Sequence, residues 1–163
     1  MNQNEMKVIK ELLDKKVWVP VQPSELSSSE MSSIIRSSMS LKKKNFPNGK
    51  FEKYKARLVA GGDQQNKNFY DDLSSPTVST SSVFTMSAVT AHENRHAAVV
   101  DIGEAFLNAD MTTGVNVYMR LDKTMSDILS SLDRTYGSYA DSKGRVVVLL
   151  KKALYGCVES AAL

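Results

Sequence analysis

The sequence predicts an α+β fold in which helices cover a β-sheet. A lysine-rich segment is divided by Asn48-Gly49, the strongest short-range sign of a β-hairpin. Short β-branched runs elsewhere predict buried strands, and segments with apolar residues at helical spacing predict helices between them. With 163 residues, the chain is long enough for one domain with a substantial core.

Composition narrows the functional classes. Hydrophobic content of 42% and charged content of 24% are ordinary for a globular domain, and no apolar run approaches the ~20 residues that span a bilayer. The polar start at residues 1–5 differs from a secretory signal peptide. A single cysteine, Cys157, excludes an internal disulfide and fits a reducing compartment. We expect an intracellular protein, cytoplasmic or nuclear, that is neither secreted nor bound to a membrane.

The first thirty residues form an N-terminal unit, and residues 31–163 form the main domain. Residues 5–16 have the apolar spacing of a helix, and residues 17–21 are a short extended piece that contains Pro20. The serine-rich residues 27–33 indicate a polar loop or a frayed turn.

A two-residue turn at Asn48-Gly49 fixes which residues of the hairpin face each other. The predicted pairs are Phe46 with Phe51, Lys44 with Lys53, Lys42 with Lys55 and Ser40 with Arg57. The opposite face then gathers an apolar set: Ile35, Met39, Leu41, Tyr54, Ala56, Leu58 and Ala60. A bulged turn that used Pro47 would instead shift the register by one residue and mix the two faces.

Positive charge is concentrated in this hairpin. Residues 34–60 hold eight basic residues against one acid, Glu52, while the whole chain carries a net charge of only +3. Like charges opposed across a sheet are destabilising unless something neutralises them. The arrangement therefore favours contact between nucleic acid and Lys42, Lys44 and Lys53; the alternative is a solvated basic face with flexible lysines.

The second half of the chain alternates helices and strands. Thr80-Ser81-Ser82 is expected to cap a helix over 83–93 that packs onto a sheet, because its surface is apolar almost all round. Strands are predicted at 97–102, 115–121 and 145–150, and a helix at 123–132. Residues 61–68 and 134–144 are loops by composition, and a final helical segment is expected after residue 151.

The predicted strand at 97–102 presents one acid, Asp101. A buried carboxylate is costly unless it is hydrogen-bonded or binds a metal, so Asp101 is either a metal ligand or a residue that caps the next turn. The spacing alone leaves both interpretations open. His92 and His96 have helical spacing, but no third ligand accompanies them, so we interpret them as surface residues.

Four blocks of sequence resemble the reverse transcriptase of copia-type long-terminal-repeat retrotransposons. They are Glu52-Lys53-Tyr54-Lys55-Ala56-Arg57-Leu58-Val59-Ala60-Gly61-Gly62, Ser74-Ser75-Pro76-Thr77-Val78, Val100-Asp101-Ile102-Gly103-Glu104-Ala105-Phe106-Leu107-Asn108 and Lys152-Ala153-Leu154-Tyr155-Gly156. The resemblance implies an incomplete fingers-plus-palm polymerase fold. The basic β-hairpin would belong to the fingers, and a ferredoxin-like palm sheet would carry helices on one face.

The resemblance also implies roles for individual residues. Asp101 would be the first catalytic, metal-binding aspartate, and the Ile102 carbonyl would assist it in holding Mg²⁺. Phe106 would lie beneath the sugar of the incoming nucleotide. The implied partners are an RNA template, an RNA–DNA hybrid and deoxynucleotide triphosphates.

The remaining nucleotide contacts come from the first and last blocks. Lys55 and Arg57 would contact the triphosphate or the template, and Tyr155 and Gly156 would line the nucleotide pocket. The run Cys157-Val158-Glu159-Ser160-Ala161-Ala162 stands where the family commonly has Leu-Lys-Gln-Ala-Pro-Arg.

The family's second acid cluster, Tyr-x-Asp-Asp, does not occur in these 163 residues. Tyr70-Asp71-Asp72 precedes Asp101 and lacks the intervening residue, so we reject it as the catalytic pair, and Glu104 and Asp110 are unlikely replacements. The thumb and ribonuclease H regions are also missing. Since two Mg²⁺ ions need more than one carboxylate, we expect the chain to be inactive alone.

Three functional interpretations remain open. The chain is a truncated reverse-transcriptase segment, a non-enzymatic fragment that binds RNA or an RNA–DNA hybrid, or a decayed transposon product without a selected function.

Overall fold

The computed structural model describes residues 3–70, 77–111 and 114–161. Its helices are α1 (Gln3–Asp14), α2 (Ser28–Ser32), α3 (Thr80–His92), α4 (Ala105–Asn108) and α5 (Lys123–Leu132). Its strands are β1 (Trp18–Val21), β2 (Ile35–Asn45), β3 (Phe51–Ala60), β4 (Tyr118–Arg120) and β5 (Val147–Leu150). Short 3-10 turns connect several of them.

The five strands form one mixed sheet in the order β1-β5-β4-β2-β3. β2 runs parallel to β4, with Ile35 opposite Met119, and the other neighbours are antiparallel. The α+β prediction is thus confirmed at the level of a mixed fold with a single five-stranded sheet.

The hydrophobic core lies where α1 and α5 meet each other and the sheet. Ile9 and Leu12 of α1 are buried together with Ile128 and Leu129 of α5, and α1 also packs against β3. α5 forms at its predicted position and α1 begins and ends two residues earlier than predicted. Both helices form because each has one apolar stripe at helical spacing. Asp122 caps α5 by accepting a hydrogen bond from the Met125 backbone N–H at 2.8 Å.

The hairpin of β2 and β3, which we call the ribbon, has the predicted lysine pairs but a different turn. Lys44 lies opposite Lys53 and Lys42 opposite Lys55. The predicted pair of Phe46 with Phe51 is wrong, because the Phe46 backbone N–H donates to the Lys50 carbonyl at 2.8 Å. The turn therefore has three residues, and Gly49 ends it at φ +81°.

A β-bulge on β3 restores the register after this longer turn. Phe51 lies opposite Asn45, whereas Lys53 lies opposite Lys44, so Glu52 is the extra residue between the two pairs. The turn holds one residue more than predicted, which shifts the pairing by one position, and the bulge shifts it back. From Lys44 toward the base of the ribbon, the pairs are therefore those predicted. The two-faced pattern of the lower ribbon therefore survives the change of turn.

The apolar face of the ribbon is buried only at its base. Ile35, Leu58 and Ala60 belong to the core, whereas Leu41 and Tyr54 near the tip are exposed. The ribbon therefore projects from the domain, with its root in the core.

The base of the ribbon is joined to the segment after β5 by two glycines. The Ala60 N–H donates to the Tyr155 carbonyl at 2.7 Å. A Cβ atom at Gly62 would overlap the Gly156 carbonyl oxygen, and one at Gly156, whose φ is +90°, would overlap the Ala60 carbonyl oxygen. The first and last sequence blocks are thus in backbone contact, which only glycine permits at these positions.

The buried strand predicted at 97–102 does not form. These residues have no strand partner within the described residues, and Val99 and Val100 are 100% and 82% exposed. α3 is likewise exposed along its length, with Phe84 70% exposed, so the prediction that it packs onto a sheet is wrong. An apolar run becomes a buried strand only when neighbouring strands and a covering layer are present.

Smaller differences between the predicted and the observed helices and strands are explained by contacts within each segment. The cap of α3 is Ser79, one residue before the predicted group, and it accepts a hydrogen bond from the Ser82 N–H. The expected polar loop at 27–33 contains α2, because Ser27 and Glu30 form a capping box. The strand predicted at 115–121 is reduced to β4, and the final helical segment is a single 3-10 turn, Val158–Ala161.

None of the helices within the described ranges is long and apolar enough to cross a membrane. Asp71 and Asp72, together with most of the second sequence block, lie outside the described residues.

The glycine contact yields a stability prediction. Gly156→Ala should lower the free energy of unfolding by at least about 2 kcal/mol, because the new methyl group needs both a strained positive φ and space that the Ala60 carbonyl occupies. Gly137→Ala is the matched control, since nothing lies within 4 Å of its added Cβ. Urea denaturation of both variants measures the difference; equal stabilities would refute the proposed contact.

Candidate functional site

A cleft of about 450 Å³ lies between α1, the lower part of β3, residues 101–104 and Tyr155. Its charged wall on β3 carries Lys55 and Arg57, which are two residues apart and so project from the same face of the strand. Asp101 and Glu104 also line the cleft, and we call them its acidic wall. The fold thus brings residues from the first, third and last sequence blocks to one place.

Aromatic contacts connect these blocks at the cleft. The Arg57 guanidinium carbon lies 5.3 Å from the centroid of the Tyr155 ring, a cation–π arrangement. The Tyr155 ring in turn meets the Phe106 ring edge-on, with centroids 4.9 Å apart. Tyr155 therefore links the basic wall on β3 to α4, which holds Phe106.

Asp101 lies in an exposed segment without regular secondary structure and not at the end of a buried strand. The interpretation of Asp101 as a buried carboxylate is therefore wrong. The capping interpretation fails too, since within the described residues its carboxylate makes no hydrogen bond to the following turn. Ile102, whose carbonyl is expected to assist Asp101 in metal binding, is 68% exposed. Both residues still line the cleft.

The acidic wall includes a residue from α1 that the sequence analysis did not identify. Glu11 lines the cleft beside Glu104, and Lys15 forms an ion pair with Glu104. A hydrogen bond with the Glu104 carboxylate raises the pKa of Glu11, with further contributions from burial and from the Glu104 charge. The same hydrogen bond and Lys15 lower the pKa of Glu104. No motif marked Glu11 or Lys15, because both precede the four blocks.

Glu104 adopts a left-handed backbone conformation, with φ 55° and ψ 38°, at the point where the exposed segment enters α4. Such a conformation is uncommon for a residue with a side chain and persists where its surroundings hold it. The Lys15 and Glu11 contacts supply that hold. Glu104 is thus held at the end of α1 through both of these contacts.

Phe106 does not line the cleft and contacts it through the Tyr155 ring, and the remaining predicted site residues also lie outside the cleft lining. Gly156 packs against the Ala60 carbonyl, where its lack of a side chain is a packing requirement. Lys42, Lys44 and Lys53 are exposed along the ribbon above Lys55. These cations continue the basic wall of the cleft outward along one face of the ribbon.

A partly buried polar cluster joins the segment after the ribbon to the segment after Gly156. Gln65 accepts a hydrogen bond from the Val158 N–H at 2.8 Å and donates to the Tyr70 hydroxyl at 2.9 Å and to the Glu159 carboxylate at 3.2 Å. Glu159 is only 1% exposed and stands where the resembled family run has glutamine. Burial and the nearby Glu159 raise the pKa of Tyr70 and raise that of Cys157 to about 12. The Cys157 thiol is therefore unreactive near neutral pH.

The described residues contain no group of three or more histidine, cysteine, aspartate or glutamate side chains that could hold a metal ion. The oxygen donors expected of Asp101 and Ile102 suit Mg²⁺, which takes one or two carboxylates and completes its shell with waters and substrate phosphates.

The aromatic contact at the cleft gives a second prediction. A double-mutant cycle with Phe106→Leu and Tyr155→Leu should show a coupling of about 1 kcal/mol in the free energy of unfolding, because edge-on rings add to simple burial. The control cycle pairs Phe106→Leu with Tyr136→Leu, whose rings do not meet in the described part of the chain, and should be additive within about 0.5 kcal/mol. Additivity in both cycles would contradict the packing of α4 against Tyr155.

Comparison with known proteins identifies the family. The model of the family described as reverse transcriptase (RNA-dependent DNA polymerase) matches residues 27–162. The Retrovirus-related Pol polyprotein from transposon TNT 1-94 of Nicotiana tabacum is 30% identical over 108 residues, which are 66% of this chain and 7% of that polyprotein. No solved structure matches the chain. Because the family model covers most of its length and includes the cleft residues on β3 and after β5, the chain belongs to the reverse transcriptase family.

Proposed function

We infer that this chain is the fingers and part of the palm of a copia-type retrotransposon reverse transcriptase, and that it binds template nucleic acid and deoxynucleotide triphosphates. The observation that carries this proposal is the convergence of Lys55, Arg57, Asp101, Phe106 and Tyr155 around one cleft and its aromatic contacts. These residues come from three separate sequence blocks. Together they supply the cations, the carboxylate and the aromatic rings that a nucleotide site needs for phosphates, a metal ion and the sugar.

In this proposal each wall of the cleft has its own task. Lys55 and Arg57 hold the triphosphate or the template backbone, since ammonium and guanidinium groups pair with phosphate oxygens. Phe106, fixed edge-on against Tyr155, presents a rigid surface to the nucleotide sugar. Glu104 and Lys15 anchor the loop that carries Asp101 to α1.

The Asp101 carboxylate and the Ile102 carbonyl would hold Mg²⁺. A bound divalent ion stabilises the negative charge that develops on transferring phosphoryl oxygens. Asp101 suits this role because its carboxylate is exposed at the cleft and is not committed to a hydrogen bond within the described residues.

A polypeptide of these 163 residues should not extend a primer. Nucleotidyl transfer uses two metal ions held by several carboxylates, and the sequence contains no Tyr-x-Asp-Asp motif. Lys15 and Glu11 already engage Glu104, so it is not free to serve as a second ligand.

A non-enzymatic role in binding RNA or an RNA–DNA hybrid is the second candidate function. It is favoured by the ribbon, whose exposed lysines lie opposite each other as Lys42 with Lys55 and Lys44 with Lys53. Polyanion binding by this surface needs neither a metal nor a complete active centre.

The enzymatic prediction is tested by primer extension. The purified chain with template, primer, nucleotides and Mg²⁺ should incorporate no nucleotide above the level of Asp101→Asn, which serves as the matched control. Incorporation that the Asp101→Asn substitution abolishes would contradict the prediction and would mean that one aspartate suffices for the metal pair.

The binding prediction concerns salt. Affinity for RNA or an RNA–DNA hybrid should fall about tenfold or more between about 50 and 200 mM salt, because several phosphates are neutralised on the ribbon. The double variant Lys53→Glu/Lys55→Glu should weaken binding across all sequences and flatten the salt dependence.

The matched control for that experiment is Lys10→Glu/Lys143→Glu, which makes the same change in net charge at exposed positions that are not part of the ribbon. Fluorescence anisotropy titrations measure all three proteins. The assignment to the ribbon fails if the two double variants lose affinity equally, and nucleic-acid binding itself fails if the native chain does not bind at low salt.

A further inference from the structure

The tip of the ribbon carries an exposed aromatic pair on the face opposite the paired lysines. We propose that Phe51 and Tyr54 form a stacking platform for the unpaired bases of single-stranded nucleic acid. This inference rests on the proposed nucleic-acid function and goes further, because it names the form of nucleic acid that the ribbon prefers.

The bulge at Glu52 creates the platform. In an uninterrupted hairpin Phe51 would share the face of Lys53, two residues along the strand. The extra residue instead turns Phe51 toward the other face, where its ring lies 5.1 Å from that of Tyr54 at an interplanar angle of 54°. Bulges commonly redirect a side chain in this way.

Both rings remain accessible, and neither belongs to the core. Phe51 is 50% exposed and Tyr54 is 48% exposed, although burying such rings would be strongly favourable. Leu41, on the same face, is also exposed. The tip therefore retains an apolar surface that packing within the described residues does not use.

A cation accompanies the rings. The Lys43 ammonium lies 5.7 Å from the centroid of the Phe51 ring, directly across from Tyr54 in the register. Aromatic faces for bases with adjoining cations for phosphates are the combination that binds single strands without sequence preference. An intact duplex keeps its bases stacked internally and offers no face to this pair.

Charge complementarity selects nucleic acid as the occupant. The lysines at the tip would repel a basic partner and attract a phosphate chain, and the ribbon's other face is already assigned to phosphates in the proposed function. A neutral apolar protein segment would contact the rings but would gain nothing from the charge on the lysines.

The experiment compares three probes of matched length, about 12 nucleotides, which lies within the range of single-strand site sizes. They are an oligouridylate, an abasic oligomer with the same phosphate backbone, and an RNA–DNA duplex. The native chain should bind the oligouridylate about tenfold more tightly than the abasic oligomer, since stacking is lost in the latter.

Variants assign that preference to the two rings. Phe51→Leu/Tyr54→Leu should abolish the difference between the oligouridylate and the abasic oligomer, leaving affinity for the abasic oligomer and the salt dependence unchanged. Phe69→Leu, at a 65% exposed aromatic position outside the ribbon, is the matched control and should retain the preference. Melting temperatures of all variants verify that they fold.

The outcomes distinguish this inference from the function on which it rests. Equal, salt-dependent binding of the oligouridylate and the abasic oligomer by the native chain would overturn the stacking platform and leave the lysine face intact. Tighter binding of the duplex than of the oligouridylate, or a preference that survives in the double variant, would overturn it as well. Failure of all three probes to bind at low salt would overturn both.

Discussion

The close approach of two backbone segments at Gly62 and Gly156 organises the rest of this structure. It lets the Ala60 N–H reach the Tyr155 carbonyl and leaves no space for a side chain on either glycine. The contact holds together two segments that are nearly a hundred residues apart in sequence. It also places the Tyr155 ring against Arg57. The hydrogen bonds of Gln65 to Val158 and Glu159 reinforce the same junction. The basic wall of the cleft exists because this contact fixes the ribbon to the segment after β5.

Sequence patterns predicted those helices and strands whose structure is determined mainly by their own residues. α1, α5 and β5 form close to their predicted positions because one apolar stripe or one β-branched run suffices to specify each. The lysine pairs of the ribbon were also predicted, although through a two-residue turn that does not occur. Pro47 suits the first of the three turn residues, where its fixed negative φ is favourable, and Gly49 suits the left-handed end of the turn. The sequence alone did not decide between these two turns, and the bulge that reconciles them is not marked by any motif.

The predicted secondary structure was wrong where a segment needs partner strands or a covering layer to form it. The run at 97–102 has the composition of a buried strand, yet Val99 and Val100 are exposed because no strand within the described residues pairs with them. Family resemblance nevertheless directed attention to Asp101 and Phe106, and the cleft and its aromatic contacts involve both. Glu11 and Lys15 were missed because their role arises from the packing of α1, which no linear pattern records. Side chains that meet across elements are the part of a site that sequence reasoning reaches last.

The extra residue at Glu52 has a consequence for how this domain tolerates change. If Glu52 were deleted, Lys44 would still face Lys53 and Asn45 would still face Phe51, because the bulged residue has no partner across the strands. The outer end of the ribbon can thus shorten by one residue without disturbing the inner end, where Arg57 meets Tyr155. A change of one residue in the length of the tip therefore leaves the cleft unchanged. The tip and the base of the ribbon can accordingly vary independently in evolution.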